Sequence, residues 1–142
     1  MHLAIFITNT DSSNFALNWP GDEEKFNELV HSVRSEWTTE IFRVKDNIFP
    51  ESLLDFDGFI IGGSPASVHN DFPWIDKLLK IIRDIQTLGK PIFGACFGHQ
   101  AIALALGGEV NKNPLGWGHG LVEYVTFVYW DPYTGNVGGD RK

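Results

Sequence analysis

Hydrophobic residues in this chain form short continuous runs that alternate with stripes at helical spacing. The first run, Leu3-Ala4-Ile5-Phe6-Ile7-Thr8, is typical of a strand buried on both faces, and the segments 38–44, 57–61 and 91–95 are also predicted to be strands. Two amphipathic helices are predicted from apolar stripes, Phe26, Leu29, Val30, Val33 and Trp37 in the first and Ile75, Leu78, Leu79, Ile82 and Ile85 in the second. A third helix, over 98–106, is apolar nearly all round. This alternation predicts an α/β fold, a mainly parallel sheet with helices on both faces.

Capping residues, prolines and glycines predict where these elements begin and end. Asp22 suits the N-cap of the first helix. The second helix is expected to begin near Asn70 or Asp71, to carry Pro73 in its first turn, and to stop at Gly89. One further strand is predicted over 121–130.

Length and composition limit the class of protein. With 142 residues, one domain is expected over 1–130, followed by a tail over 131–142 that lacks an apolar period and is interpreted as disordered or as sequence foreign to the fold. The net charge of −7 argues against a nucleic-acid partner, and the single cysteine excludes an internal disulfide. We see neither a leader nor a membrane-length apolar run, so we expect a cytoplasmic protein without a membrane partner.

The densest chemical signal is the segment Gly94-Ala95-Cys96-Phe97-Gly98-His99-Gln100, where the fourth strand passes into the third helix. Small residues such as Gly94 and Gly98 permit the sharp turn that lifts a nucleophile above a sheet. The N-terminus of the following helix favours the thiolate, the reactive form of Cys96, and the Phe97 N–H can donate to an oxyanion. Outside such a setting a lone cysteine is most often a small buried hydrophobe, so the strand-to-helix context carries this interpretation.

A second glycine-rich turn, Gly62-Gly63-Ser64-Pro65, ends the third strand. Ligand sites in parallel sheets lie beyond the carboxyl ends of the strands, and glycines there let backbone N–H groups approach a substrate closely. Taken alone, such a pair is more often a simple turn than an oxyanion hole. Beside the cysteine turn, however, it predicts that Gly63 lies near Cys96.

Three segments together resemble the class I glutamine amidotransferases, in particular members similar to the glutaminase domain of GMP synthetase. Gly94-Ala95-Cys96-Phe97-Gly98-His99-Gln100 resembles the Gly-x-Cys-x-Gly-x-Gln elbow of that family, and Phe59-Ile60-Ile61-Gly62-Gly63-Ser64-Pro65-Ala66-Ser67-Val68 resembles its oxyanion strand and loop. Asn113-Pro114-Leu115-Gly116-Trp117-Gly118 is similar to the segment that follows the elbow helix. The three motifs occur in the family's order, which makes the resemblance specific.

The resemblance implies a flavodoxin-like fold and hydrolysis of the glutamine side-chain amide. Cys96 would attack the amide carbon and form a glutamyl thioester with release of ammonia, which normally passes to a synthetase-type partner site. The N–H groups of Gly63 and Phe97 would form the oxyanion hole, while Gly62 and Gln100 would contact the glutamine. No cofactor is implied, and the sequence contains no recognisable metal cluster, phosphate loop or dinucleotide fingerprint.

The chain departs from the family pattern at the general base, which the family carries as a histidine in a His-x-Glu pair. Residues 97–142 hold two histidines, His99 and His119, and neither has a carboxylate two positions on. Three interpretations stay open. The first is a glutaminase that takes its base from another chain or relies on the elbow alone, the second is a truncated or frameshifted domain with little or no turnover that acts in binding or structure, and the third is a related thiol hydrolase. Gln100 favours glutamine chemistry over the third, and the missing pair favours the second over the first.

The end of the predicted sheet suggests how copies of the chain would associate. A doubly wound sheet that stops early leaves apolar strand surface open, and such surface invites pairing. We therefore expect a homodimer that uses residues after Gly120. The apolar residues that would form this surface are Leu121, Val122, Val125, Phe127 and Val128.

Overall fold

The computed structural model of the protein describes residues 1–112, Pro114, and the backbone of two short strands at 129–130 and 137–138. The chain divides into two compact units, Met1–Gly108 and Glu109–Lys142. The first unit holds the sheet, the helices and the candidate site.

A four-stranded parallel sheet forms the centre of the first unit. Its strands are β1 (His2–Phe6), β2 (Thr38–Phe42), β3 (Gly58–Ile61) and β4 (Ile92–Gly94), in the spatial order β2-β1-β3-β4. The continuous apolar run of β1 is explained by its inner position, because Leu3 to Phe6 are all buried. The predicted flavodoxin-like α/β fold with a mainly parallel sheet is therefore confirmed.

The second strand is shorter than its sequence pattern suggests. β2 ends at Phe42, and the buried Val44 begins a 3-10 turn, Val44–Asp46. Asn47 closes this turn in the left-handed region, at φ 64°. Val44 therefore contributes to the core from a turn, although its β-branched side chain favours a longer strand.

Among the residues that the structure describes, four helices accompany the sheet: α1 (Asn14–Leu17), α2 (Asp22–Val33), α3 (Pro73–Thr87) and α4 (Phe97–Ala105). The short α1 was not predicted; Ser13 caps it by accepting the Ala16 N–H. The apolar stripe of α3 is confirmed, since Ile75, Leu78, Ile82 and Ile85 are buried. The Gly89 stop is confirmed too, with φ +66°.

The start of α3 lies later in the chain than expected, at Pro73. The reason is a closed turn before it. The Ser67 N–H donates to the Asn70 side-chain oxygen over 2.7 Å, and the Asn70 N–H donates to the Ser67 carbonyl. Asn70 therefore stabilises the loop, and the helix begins only where Pro73 fixes a helical φ.

The first predicted amphipathic helix needs two corrections. Its N-cap is Gly21, without a side-chain cap bond, and not Asp22; the helix ends at Val33, so Trp37 lies outside it. Val30 is the buried residue of its stripe, whereas Leu29 and Val33 are 57% and 64% exposed. These two side chains line an open groove of about 440 Å³ that is also lined by residues of β3 and β4.

The second unit contains, among its described residues, one antiparallel pair of strands, β5 (Tyr129–Trp130) and β6 (Val137–Gly138). Most of the strand predicted over 121–130 lies outside the described residues, as do His119 and the five apolar residues named for a homodimer. None of the described helices is long and apolar enough to cross a membrane.

Candidate active site

Cys96 lies in a two-residue turn, Ala95-Cys96, between β4 and α4. β4 ends at Gly94, α4 begins at Phe97, and Cys96 occupies the N-cap position with φ 52° and ψ −108°. Among the described non-glycine residues only Asn47 and Cys96 have positive φ, a conformation that costs L-residues on the order of 1–3 kcal/mol. The Cys96 side chain is exposed. Strain and exposure at a strand-to-helix turn are the features of a nucleophile elbow.

The two glycines around Cys96 allow this turn through close backbone approaches. A methyl group on Gly94 would lie 2.4 Å from the carbonyl carbon of Gly98. A methyl group on Gly98 would lie 2.4 Å from the carbonyl oxygen of Ile61. Both contacts are with backbone atoms, so no side-chain adjustment relieves them. The sequence prediction that small residues make this turn possible is confirmed.

The loop after β3 lies against the elbow. A methyl group on Gly63 would lie 3.6 Å from the Cys96 Cβ, so Gly63 and Cys96 are near neighbours as predicted. Gly62, which directly follows β3, is hydrogen-bonded to two other elements. Its N–H donates to the Phe6 carbonyl of β1 over 3.1 Å, and its carbonyl accepts the Gly98 N–H of α4 over 3.1 Å. The loop is therefore hydrogen-bonded to both β1 and α4.

Two backbone donors near Cys96 have no backbone acceptor. Phe97 is the first residue of α4, a position whose N–H has no intrahelical partner. Among residues 1–112, no backbone hydrogen bond uses the N–H of Phe97 or of Gly63. The backbone of residues 1–112 therefore leaves these two N–H groups near Cys96 without an acceptor, although buried N–H groups in proteins are nearly always paired.

The remaining predicted site residues lie on α4. Gln100 is exposed, and its N–H donates to the Cys96 carbonyl in the first turn. The Phe97 ring is buried and packs against Trp74 of α3, with ring centroids 5.5 Å apart. This contact anchors the first residue of α4 against α3.

Charged groups are scarce at the elbow. In the described part of the chain no ion pair involves residues 94–100, and the Cys96 thiol has no hydrogen bond to a histidine. His99 is exposed on α4, while His119 lies outside the described residues. No cluster of three His, Cys, Asp or Glu residues that could hold a metal ion occurs among the described residues. The described site therefore consists of a thiol and backbone donors.

One contact of the loop was missed from the sequence. The Thr8 hydroxyl donates to the Gly63 carbonyl over 2.9 Å. Thr8 follows a run of five apolar residues, and the sequence pattern assigns it only to the end of the first strand. A polar residue with a hydroxyl at the carboxyl end of an inner strand was the available signal, since parallel sheets place their sites at that edge.

Comparison with known proteins identifies the family. A family model for class-I glutamine amidotransferases matches residues 23–125, which is most of the chain. The chain therefore belongs to the class I glutamine amidotransferase family.

Individual relatives carry different activities in their names. The chain is 37% identical over 110 residues to gamma-glutamyl peptidase 4 of Arabidopsis thaliana, covering 76% of this chain and 43% of that protein. It is 32% identical over 92 residues to one subunit of the glutamine-hydrolyzing GMP synthase of Archaeoglobus fulgidus, covering 65% and 46%. A crystal structure of a glutamine amidotransferase from Methylobacillus flagellatus superposes with a TM-score of 0.61 at 28% identity, covering 79% of this chain and 41% of that one. The chain thus spans less than half the length of these relatives.

Proposed function

We propose that this chain forms the nucleophile half of a glutaminase-type site, in which Cys96 attacks the γ-carbonyl of a glutamyl substrate. The observation that carries the proposal is the strained, exposed Cys96 turn, with Gly63 as a near neighbour. A thiol held at a helix N-terminus is favoured as thiolate, and the N–H groups of Gly63 and Phe97, which no backbone acceptor in residues 1–112 uses, suit the oxyanion of an acyl transfer.

The roles of the residues follow from the reaction. The Cys96 sulfur forms a bond to the γ-carbon, and the N–H groups of Gly63 and Phe97 receive the developing oxyanion. The carbon–nitrogen bond then breaks, ammonia leaves with the thiol proton, and a γ-glutamyl thioester remains. Water hydrolyses this thioester to glutamate and restores the thiol. Gly62 and Gln100 contact the substrate in this scheme.

Proton transfer is the step expected to limit the rate of this reaction. An amide nitrogen is a poor leaving group unless it is protonated, and a general base contributes about 10²- to 10⁴-fold to such steps. Residues 97–142 contain no His-x-Glu pair. We therefore propose that turnover with glutamine is slow in this chain by itself, and that a base from another chain would raise it.

A γ-glutamyl peptide is the second candidate substrate, and the 37% identity to a gamma-glutamyl peptidase favours it. The attacked carbonyl is the same, and only the leaving group differs, an amine in place of ammonia. The third candidate function is a binding or structural role without turnover. We also propose that a synthetase receives the ammonia, because the name of one relative places it in GMP synthase.

Intact-mass measurement after acid quenching distinguishes these functions. Prolonged incubation with glutamine or with a γ-glutamyl dipeptide is expected to add one γ-glutamyl group slowly, an activated γ-glutamyl ester is expected to add it faster, and the matched Cys96→Ala variant is expected to add none. Release of ammonia from glutamine, or of the amino acid from the dipeptide, identifies the substrate. If the natural protein gains no adduct from either compound and none from an activated γ-glutamyl ester, it is a binding protein and not an acyl-transfer enzyme.

A further inference from the structure

The carboxyl end of β1 carries a polar side chain that is completely buried. Thr8 has no exposed surface, and it is the one buried polar or charged residue among those that the structure describes. Burying a hydroxyl costs free energy unless it is hydrogen-bonded. The Thr8 hydroxyl donates to the Gly63 carbonyl, 55 residues along the chain, over 2.9 Å.

Gly63 needs such a contact because glycine has the widest choice of backbone angles. Two peptide groups flank it. The Gly62–Gly63 peptide is held because the Gly62 carbonyl accepts the Gly98 N–H over 3.1 Å. The Gly63–Ser64 peptide is held because the Gly63 carbonyl accepts the Thr8 hydroxyl. Each flanking peptide thus has a partner on a different element, α4 for the first and the end of β1 for the second.

The Gly63 N–H belongs to the Gly62–Gly63 peptide, so the bond to Gly98 sets its direction, and the bond from Thr8 keeps the Gly63 backbone from rotating on the other side of the residue. A peptide group is planar and trans, so its N–H points away from its own carbonyl. With both planes fixed, the Gly63 backbone angles are fixed as well. An oxyanion donor must be oriented before the reaction, because reorienting it during the reaction costs free energy that offsets the stabilisation of the oxyanion.

We propose that Thr8 is a positioning residue for acyl transfer at Cys96: its hydroxyl holds the Gly63–Ser64 peptide, which prevents the Gly63 backbone from turning its N–H away from the oxyanion. This inference rests on the proposed function. Thr8 touches neither the substrate nor the thiol in this scheme and acts through the backbone of Gly63.

Two substitutions separate the hydroxyl from the rest of the side chain. Thr8→Val keeps the shape and removes the hydroxyl, whereas Thr8→Ser keeps the hydroxyl and removes the methyl group. The probe is the γ-(4-nitrophenyl) ester of glutamate. The Cys96 sulfur bonds to the γ-carbon, the ester carbon–oxygen bond breaks, nitrophenolate departs with the electron pair, and the thiol proton goes to buffer. Nitrophenolate needs no proton to leave, so the departure of the leaving group does not depend on a proton donor.

The control reaction is alkylation of Cys96 by iodoacetamide, a displacement that develops no oxyanion. For Thr8→Val we expect acylation by the ester to slow by about 10- to 100-fold, less than the 10²–10³ lost when an oxyanion donor is removed outright. The half-saturating ester concentration and the iodoacetamide rate are expected to stay close to those of the natural protein. Thr8→Ser is expected to restore most of the acylation rate, and circular dichroism checks that both variants fold.

The results of these measurements distinguish the role of Thr8 from the proposed acyl transfer at Cys96. Natural protein that acylates at the same rate as Thr8→Val overturns the role of Thr8 and leaves the proposed function intact. Equal losses in acylation and alkylation, or equal losses in both variants, overturn it as well, because they indicate general damage to the fold. Natural protein that does not acylate at Cys96 overturns both.

Discussion

The close approach of α4 to β3 at Gly98 makes Gly98→Ala the most informative single change in the fold. The added methyl carbon would lie 2.4 Å from the Ile61 carbonyl oxygen and 2.9 Å from the Ile61 carbonyl carbon and Cβ. Carbon–carbon contacts are optimal at about 3.5–4.0 Å, so α4 must move from the sheet by roughly 1 Å. The same movement stretches the 3.1 Å bond between the Gly98 N–H and the Gly62 carbonyl.

Two costs therefore add. Overpacking of a well-packed region costs about 1–3 kcal/mol, and loss of a backbone hydrogen bond costs about 1 kcal/mol more. We expect Gly98→Ala to lower the free energy of unfolding by about 2–4 kcal/mol, measured by urea denaturation followed by circular dichroism. The acylation rate of Cys96 should fall too, because the Phe97 N–H moves with the helix.

Gly89→Ala is the matched control. It adds the same methyl group at a position with φ +66°, where nothing lies within 4 Å, so it tests backbone strain without a clash. Its expected cost is about 1 kcal/mol, with no effect on Cys96. If Gly98→Ala proved no more costly than Gly89→Ala, the close packing of α4 on β3 would be refuted as the reason for glycine at the elbow.

Two further predictions concern contacts away from the site. The Lys90 ammonium donates to three backbone carbonyls of the loop 53–56. Lys90→Met is therefore expected to destabilise the protein by about 1–3 kcal/mol in urea denaturation, with Lys90→Ala as the control for the lost side-chain packing. Equal stability of Lys90→Met and the natural protein would contradict this prediction. Hydrogen bonds from the Ser13 backbone and side chain lower the pKa of the Asp11 carboxyl. The ionised form is favoured by folding, so this stabilisation is complete at neutral pH and is lost as the pH falls through the lowered pKa; NMR titration checks the direction, and an ordinary Asp11 pKa would disprove it.

The sequence predicted those parts of the fold that depend on one element at a time. The apolar stripe of α3 repeats within a single helix, and the glycines at 94 and 98 mark a local turn, so both features could be predicted from the sequence. Contacts between distant segments were not. Leu29 and Val33 belong to the predicted apolar stripe but are exposed, because a stripe shows which face of a helix is apolar and not whether another element covers that face. Thr8 was missed for the same reason, since its partner Gly63 is 55 residues away.

The single thiol of this protein has a consequence for its redox behaviour. Cys96 is the one cysteine in the sequence and its side chain is exposed, so every disulfide the protein forms joins Cys96 to another molecule. Oxidation of two copies would couple them elbow to elbow and consume both nucleophiles. A covalent dimer on a non-reducing gel therefore counts the nucleophiles lost to this coupling, and added reductant restores them in the same proportion.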